Sequence, residues 1–161
     1  MSEKKYEFTG EQIDCLGHRL HQIRAIKDFG IIKKGDIGGW IEKEENLSHD
    51  YYCWVCDDAR VFGNAKVYGN AWVSENARIM SNNDYATISN FGSENRTTTF
   101  QMCKDNIIRV KCGCFWGTIN EFRNKVKETH KDTYLAQEYL MIADLMEFRF
   151  NNRQNKGRWE E

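Results

Sequence analysis

Six cysteines and four histidines carry most of the reactive side chains of this 161-residue chain, and their spacing limits what chemistry is open to them. CWVC (Cys53 to Cys56) is a Cys-x2-Cys, CGC (Cys112 to Cys114) a Cys-x-Cys, and Cys15 and Cys103 stand apart. Four thiolates at such spacings hold zinc where their sulfurs converge. The histidines, His18, His21, His49 and His130, are the candidates for general-base work. No acid/base pair, phosphate-binding loop or nucleophile motif accompanies them, so the elements that would position these groups decide the reading.

The middle of the chain supplies that framework. Ala59, Ala65, Ala71 and Ala77 share one phase of a six-residue repeat, Val61, Val67, Val73 and Ile79 follow two residues later, and Asn64, Asn70 and Asn76 close each unit. Six fits neither strand alternation nor the 3.6-residue helical period, but it is a solenoid period. The sequence therefore predicts a mainly β protein built on a short left-handed parallel β-helix of about three coils. In that reading Val55, Val61, Val67, Val73 and Ile79 point inward, the small residues fill tight inner corners, and Gly-Asn accepts the corner dihedrals. Projected backward, Ile37 precedes Val55 by one coil, and Ile41 and Leu47 fall in the small-residue slot. After Asn82 the phase slips, which predicts a protruding corner at Asn82 to Asp84 and a last turn ending near Asn95.

The flanks differ. Residues 1–34, with KYEFTG and HRLHQIRAI, read as an N-terminal β cap ahead of the β-helix at 35–96. Residues 97–161 read as a C-terminal module, in which a polar linker at 97–101 precedes one strand, NIIRVKCGCF, and a helical hairpin. Thr118 with Glu121 forms a capping box at the first helix. The second starts after Asp132, with Leu135, Tyr139, Ile142, Ala143, Met146 and Phe150 on one stripe, and the tail from 151 frays.

The register bears on the thiols. Cys53 takes an alanine slot and faces an inner corner, whereas Cys56 follows inward Val55 and faces out, so their sulfurs diverge. No metal site or cofactor is expected; a buried cysteine filling an alanine site is the commoner case. Outward positions say more. Residues one coil apart stack, which aligns Trp54 with Trp72, Arg60 with Arg78 and Phe62 with Met80, beside Tyr68 on a further wall. These seven residues form the expected interaction surface, because exposed tryptophans on a soluble protein need a cover. The C-terminal hairpin, a sister subunit or a foreign partner could each provide it. Trp40, Trp116 and Trp159 add aromatic surface, and Tyr51 and Tyr52 extend the ladder.

Composition narrows the function classes. Net charge is −1, which argues against general or sequence-specific nucleic-acid binding, although residues 35–97 hold ten acids and five bases. The start, Met-Ser-Glu-Lys-Lys, has no apolar run, so neither an export signal nor a membrane span is expected, and the cysteines read as reduced thiols in a cytoplasm. Proline is absent.

Taken together, GDIGGWIEKEENLS (Gly35 to Ser48), the YGNA-type hexads and CGCFWGTINEFRNKVKETH (Cys112 to His130) resemble proteins encoded in bacterial phages and prophages. The resemblance implies a small cytoplasmic solenoid protein of phage origin and lends no catalytic residue. By genomic context it implies an antagonist of host defence, such as an anti-CRISPR inhibitor, bound to a host protein or ribonucleoprotein. The hexads are also similar to those of the hexapeptide acyltransferases, which use a histidine base and an acyl donor held between subunits. Here only His49 lies in the repeat region and the long acyltransferase loop is missing; the three zinc histidines of γ-class carbonic anhydrases are missing too. The expected function is a non-enzymatic, self-associating binding module, with an acyltransferase or a phage structural or assembly protein as alternatives.

Overall fold

The computed structural model describes residues 3–92 and 96–153, in two compact units, Met1–Asn82 and Asn83–Glu161. Trp159 and the tail from 154 lie outside the described residues.

In the first unit, β1 (Tyr6–Cys15) and β2 (His18–Ala25) form an antiparallel hairpin. Its turn is Leu16-Gly17, with both φ positive at 50° and 82°, the geometry that matches strand twist. Strict alternation fails along β2, where Leu20 and Ile23 are both buried. The register shifts of both pairings explain this, because a bulge moves later side chains to the other face. β3 (Ile37–Ile41) joins β2 antiparallel and turns its other edge to the repeats.

Each repeat gives at most a two-residue strand: β4 (Trp54–Val55), β5 (Arg60–Val61), β6 (Trp72–Val73) and β7 (Arg78–Ile79). Parallel pairing sets Trp54 against Trp72 and Arg60 against Arg78. The backbone turns left-handed every sixth residue, at Tyr51, Asp57, Gly63, Gly69 and Glu75, with φ of 58°, 56°, 65°, 66° and 56°. Only two of these five corners are glycine, so the other three residues hold a conformation that costs an L side chain about 1 kcal/mol or more. Burial of Val55, Val61, Val67, Val73 and Ile79, with Ala59, Ala65, Ala71 and Ala77 between them, offsets that cost.

The left-handed parallel β-helix of three coils is nevertheless not what the chain builds. The repeats are divided between two sheets, a five-stranded one ordered β1-β2-β3-β5-β7 and a two-stranded one, β4-β6. The remaining hexad, around Val67, makes only an isolated bridge to Leu47. The turn before Leu47 explains this: the Asn46 N–H closes on the Lys43 carbonyl at 3.0 Å instead of reaching Ala65, whose carbonyl accepts from the Asn46 side chain at 2.9 Å. The backward projection slips as well. Trp40 pairs with Arg60 and Ile41 with Val61, so Ile41 is an inward residue and Ile37 is exposed. The 3-10 turn Glu44–Asn46 lies on this stretch, and Leu47 opposite Val67 keeps the same longer offset. Behind β3, a β-carbon at Gly38 would lie 2.7 Å from the Val55 carbonyl oxygen, and one at Gly39 2.7 Å from that of Ala59. Only glycine permits that approach.

The second unit holds two helices and a four-stranded antiparallel sheet, ordered β11 (Phe115–Thr118), β10 (Ile108–Cys112), β9 (Arg96–Met102) and β8 (Tyr85–Phe91). No solenoid turn continues after Asn82: ATIS lies in β8 (Tyr85–Phe91), paired antiparallel with β9 (Arg96–Met102). The expected polar linker is thus a strand; three consecutive threonines favour extended backbone, and Thr98 and Thr99 are buried. NIIRVKCGCF forms not one strand but the hairpin of β10 (Ile108–Cys112) and β11 (Phe115–Thr118). Helix α1 (Ile119–His130) starts on the Thr118–Glu121 capping box, and α2 (Tyr134–Arg153) follows. Phe100 and Val110 from the sheet pack with Phe122 and Val126 of α1 and Tyr139, Ile142, Ala143, Met146 and Phe150 of α2. Among the described residues, no helix is long and apolar enough to cross a membrane.

Candidate functional site

The two aligned ladders are largely absorbed by the first unit. Trp54 is buried, with its ring edge-on to Phe29 at 5.3 Å and to Tyr6 at 6.4 Å, while its register partner Trp72 is half-buried. Tyr6 and Phe29, from the N-terminal segment, cover the tryptophan. Phe62 is buried with its ring 4.9 Å from that of His18, and Met80 is half-buried. Arg78 is buried and Arg60 half-buried, and both reach Asp58, at 3.0 and 3.3 Å. Burial pushes the Asp58 carboxyl upward, but the Arg78 hydrogen bond and the two guanidinium charges outweigh it and hold it below the usual range. Of the seven expected surface residues, only Tyr68 stands exposed.

Tyr68 belongs to a different patch. Tyr51, Tyr52 and Ile31 are exposed as well. The Cys53 N–H donates to the Gly69 carbonyl at 2.9 Å and the Tyr52 N–H to Asn70 Oδ1 at 3.4 Å, which lays the tyrosine turn over the turn carrying Tyr68. The Tyr52 ring rests 3.6 Å from the β-carbon position of Gly30, beside Ile31. The left-handed corner at Tyr51 is kept in place by Lys5. Its buried ammonium donates to the carbonyls of Cys53 at 2.8 Å, Tyr51 at 3.2 Å and Asp50 at 3.4 Å, and lies 4.8 Å from the Phe29 ring centre. The sequence signal for this cluster was the pair Tyr51-Tyr52; Lys5 and Ile31 carried none, because only the fold brings them there.

An open cavity of about 690 Å³ adjoins the corner, lined by Lys5, Phe29, His49, Tyr51 and Tyr52 among others. His49 stacks on Tyr6 at 4.2 Å, and its Nδ1 accepts the Lys5 backbone N–H at 3.1 Å. The ring proton therefore sits on Nε2, which is buried, lacks a hydrogen-bond partner and lies 3.9 Å from Glu44. Burial lowers the imidazole pKa and also that of the Lys5 ammonium, while it raises that of the Cys53 thiol. A general base needs a bare ring nitrogen facing its substrate. His49 in this arrangement offers none.

The thiols stay apart. Cys53 Sγ is 3.4 Å from Lys5 Nζ in the core, and Cys56 lies by Asp57. Among the described residues, no group of three or more His, Cys, Asp or Glu side chains could hold a metal ion.

No family model matches this chain. It is similar over a short stretch to an uncharacterized acetyltransferase, YdcK, of Escherichia coli strain K12: 44% identical over 45 residues, which is 27% of this chain. The chain spans 14% of that protein's length. This similarity is consistent with a hexapeptide-repeat relationship and keeps an enzymatic reading open.

Proposed function

We propose that this chain is a binding module whose contact surface is the aromatic corner Ile31, Tyr51, Tyr52 and Tyr68. The observation that carries the reading is that three tyrosines and an isoleucine stand exposed on turns that the core holds fixed. Tyrosine on a rigid support brings large contact area at low entropic cost, and aromatic residues dominate interface energies. The partner is a protein. An antagonist of host defence, the form that the resemblance to phage-encoded proteins implies, would be one such module.

Tagged wild-type chain, passed over a bacterial host lysate, is expected to retain a partner that a Tyr51→Ser, Tyr52→Ser, Tyr68→Ser triple variant loses at unchanged melting temperature. Equal capture by both proteins would overturn the corner.

A second reading is acyl transfer, favoured by the short similarity to an uncharacterized acetyltransferase of E. coli. Acetyl-coenzyme A discriminates the two. A rise in melting temperature with millimolar acetyl-coenzyme A, removed by His49→Ala, would favour the enzyme. No shift is expected from the arrangement of His49.

A further inference from the structure

Helix α2 is apolar on two opposite sides. One side, with Tyr139, Ile142, Ala143, Met146 and Phe150, is spent on the core of its own unit. The other carries Tyr134, Met141, Leu145 and Phe148, which are 73%, 71%, 54% and 67% exposed. Their spacing of seven, four and three is that of a coiled-coil seam. At about 100° per residue all four fall within roughly 60° of one another. A surface helix of a monomer needs one apolar stripe, and a second asks for a partner.

Charge selects the partner and its direction. Glu138 and Arg149 flank the exposed stripe on the same side, about 16 Å apart along the axis. Arg149 Nε is buried and has no hydrogen-bond partner. Glu138 accepts the Gly92 N–H through Oε1 at 2.7 Å. In an antiparallel pair of identical helices, like flanks face each other across a two-fold axis. An axis passing near residues 143 and 144 sets Met141 of one copy against Leu145 of the other. The same register sets Glu138 against Arg149, twice. A parallel pair would instead bring unlike flanks together: Arg149 would reach Asp144 of the other copy, which already pairs with Arg123 at 2.8 Å, and Glu138 would lie beside Gln137 and gain no cation.

We infer that two copies of this chain associate through an antiparallel α2–α2 pairing, with Tyr134, Met141, Leu145 and Phe148 as the seam and reciprocal Glu138–Arg149 ion pairs fixing the register. The apolar side chains supply roughly 500 Å² per copy, about 1,000 Å² for the pair, at the lower bound for a specific interface. An interface at that bound belongs to the weak, transient class. The pairing does not depend on the aromatic corner.

Sedimentation equilibrium of the full chain from ~5 to ~500 µM tests it. The mass is expected to rise from 19.0 kDa toward twice that value. Met141→Glu with Leu145→Glu, both at exposed positions, should stay monomeric throughout with the melting temperature of dilute wild type. Arg149→Glu should weaken the dimer about tenfold, and adding Glu138→Arg should restore it to within about threefold. A wild-type mass of 19.0 kDa at every concentration would overturn the pairing. So would a dimer that survives the glutamate pair, whether it forms through the aromatic corner or elsewhere. A double charge swap that binds no better than Arg149→Glu would overturn the antiparallel register.

Discussion

Trp54 and Trp72 are direct register partners of β4 and β6, yet the first is sealed in the core and the second keeps one side in solvent. The difference comes from what lies beyond the repeat. Tyr6 and Phe29 close over Trp54 edge-on, and Gly38 of β3 leaves room for its six-membered ring. The aligned pair is thus one core anchor and one partly covered neighbour.

Truncating the two rings should therefore have unequal effects. Trp54→Ala removes a buried ring that its neighbours cannot fill and is expected to cost about 3–5 kcal/mol. Trp72→Ala is expected to cost about 1 kcal/mol, in proportion to its partial burial. Urea unfolding followed by far-UV circular dichroism measures both, and equal losses would show that the N-terminal hairpin does not seal Trp54.

Lys5 offers a test of the corner's support. Lys5→Met keeps the stem but leaves the carbonyls of Asp50, Tyr51 and Cys53 without their common donor. A loss of about 2–4 kcal/mol is expected, with faster hydrogen exchange at residues 50–53. An unchanged or higher stability would mean that desolvation of the ammonium cancels its three hydrogen bonds.

Asp58 gives a pH dependence of defined sign. Its carboxyl is held below the ordinary aspartate value by Arg78 and Arg60 against the upward push of burial. A depressed folded-state pKa contributes stability that is complete above the unfolded value and fades as pH falls through the folded one. Asp58→Asn should therefore cost about 1 kcal/mol at pH 7, a modest figure because the carboxylate is more than half exposed and solvent screens it. The gap between wild type and variant should narrow progressively as pH falls below the ordinary aspartate range, as chemical denaturation at pH 7 and at a series of acidic pH values would show. A constant gap across that range would place the effect in packing instead of charge.

The sequence alone determined the inward register of the repeat. A valine or isoleucine two residues after each small residue can satisfy its burial in one way only, and Val55, Val61, Val67, Val73 and Ile79 are all in the core. The Thr118–Glu121 capping box and the packed stripe of α2 were legible for the same reason, since both rest on contacts three or four residues apart. What the repeat pairs with was not legible. A two-residue strand is too short to choose between a coil of its own kind and the edge of a hairpin, and on the wall of Val67 the ladder is cut to a bridge because the Asn46 N–H turns back to Lys43. Exposure was equally a tertiary matter. Trp54 and Tyr68 read alike as outward residues, but β1, β2 and the chain that follows them lie over one and not the other. Long-range packing sets that outcome, and six-residue periodicity carries no information about it.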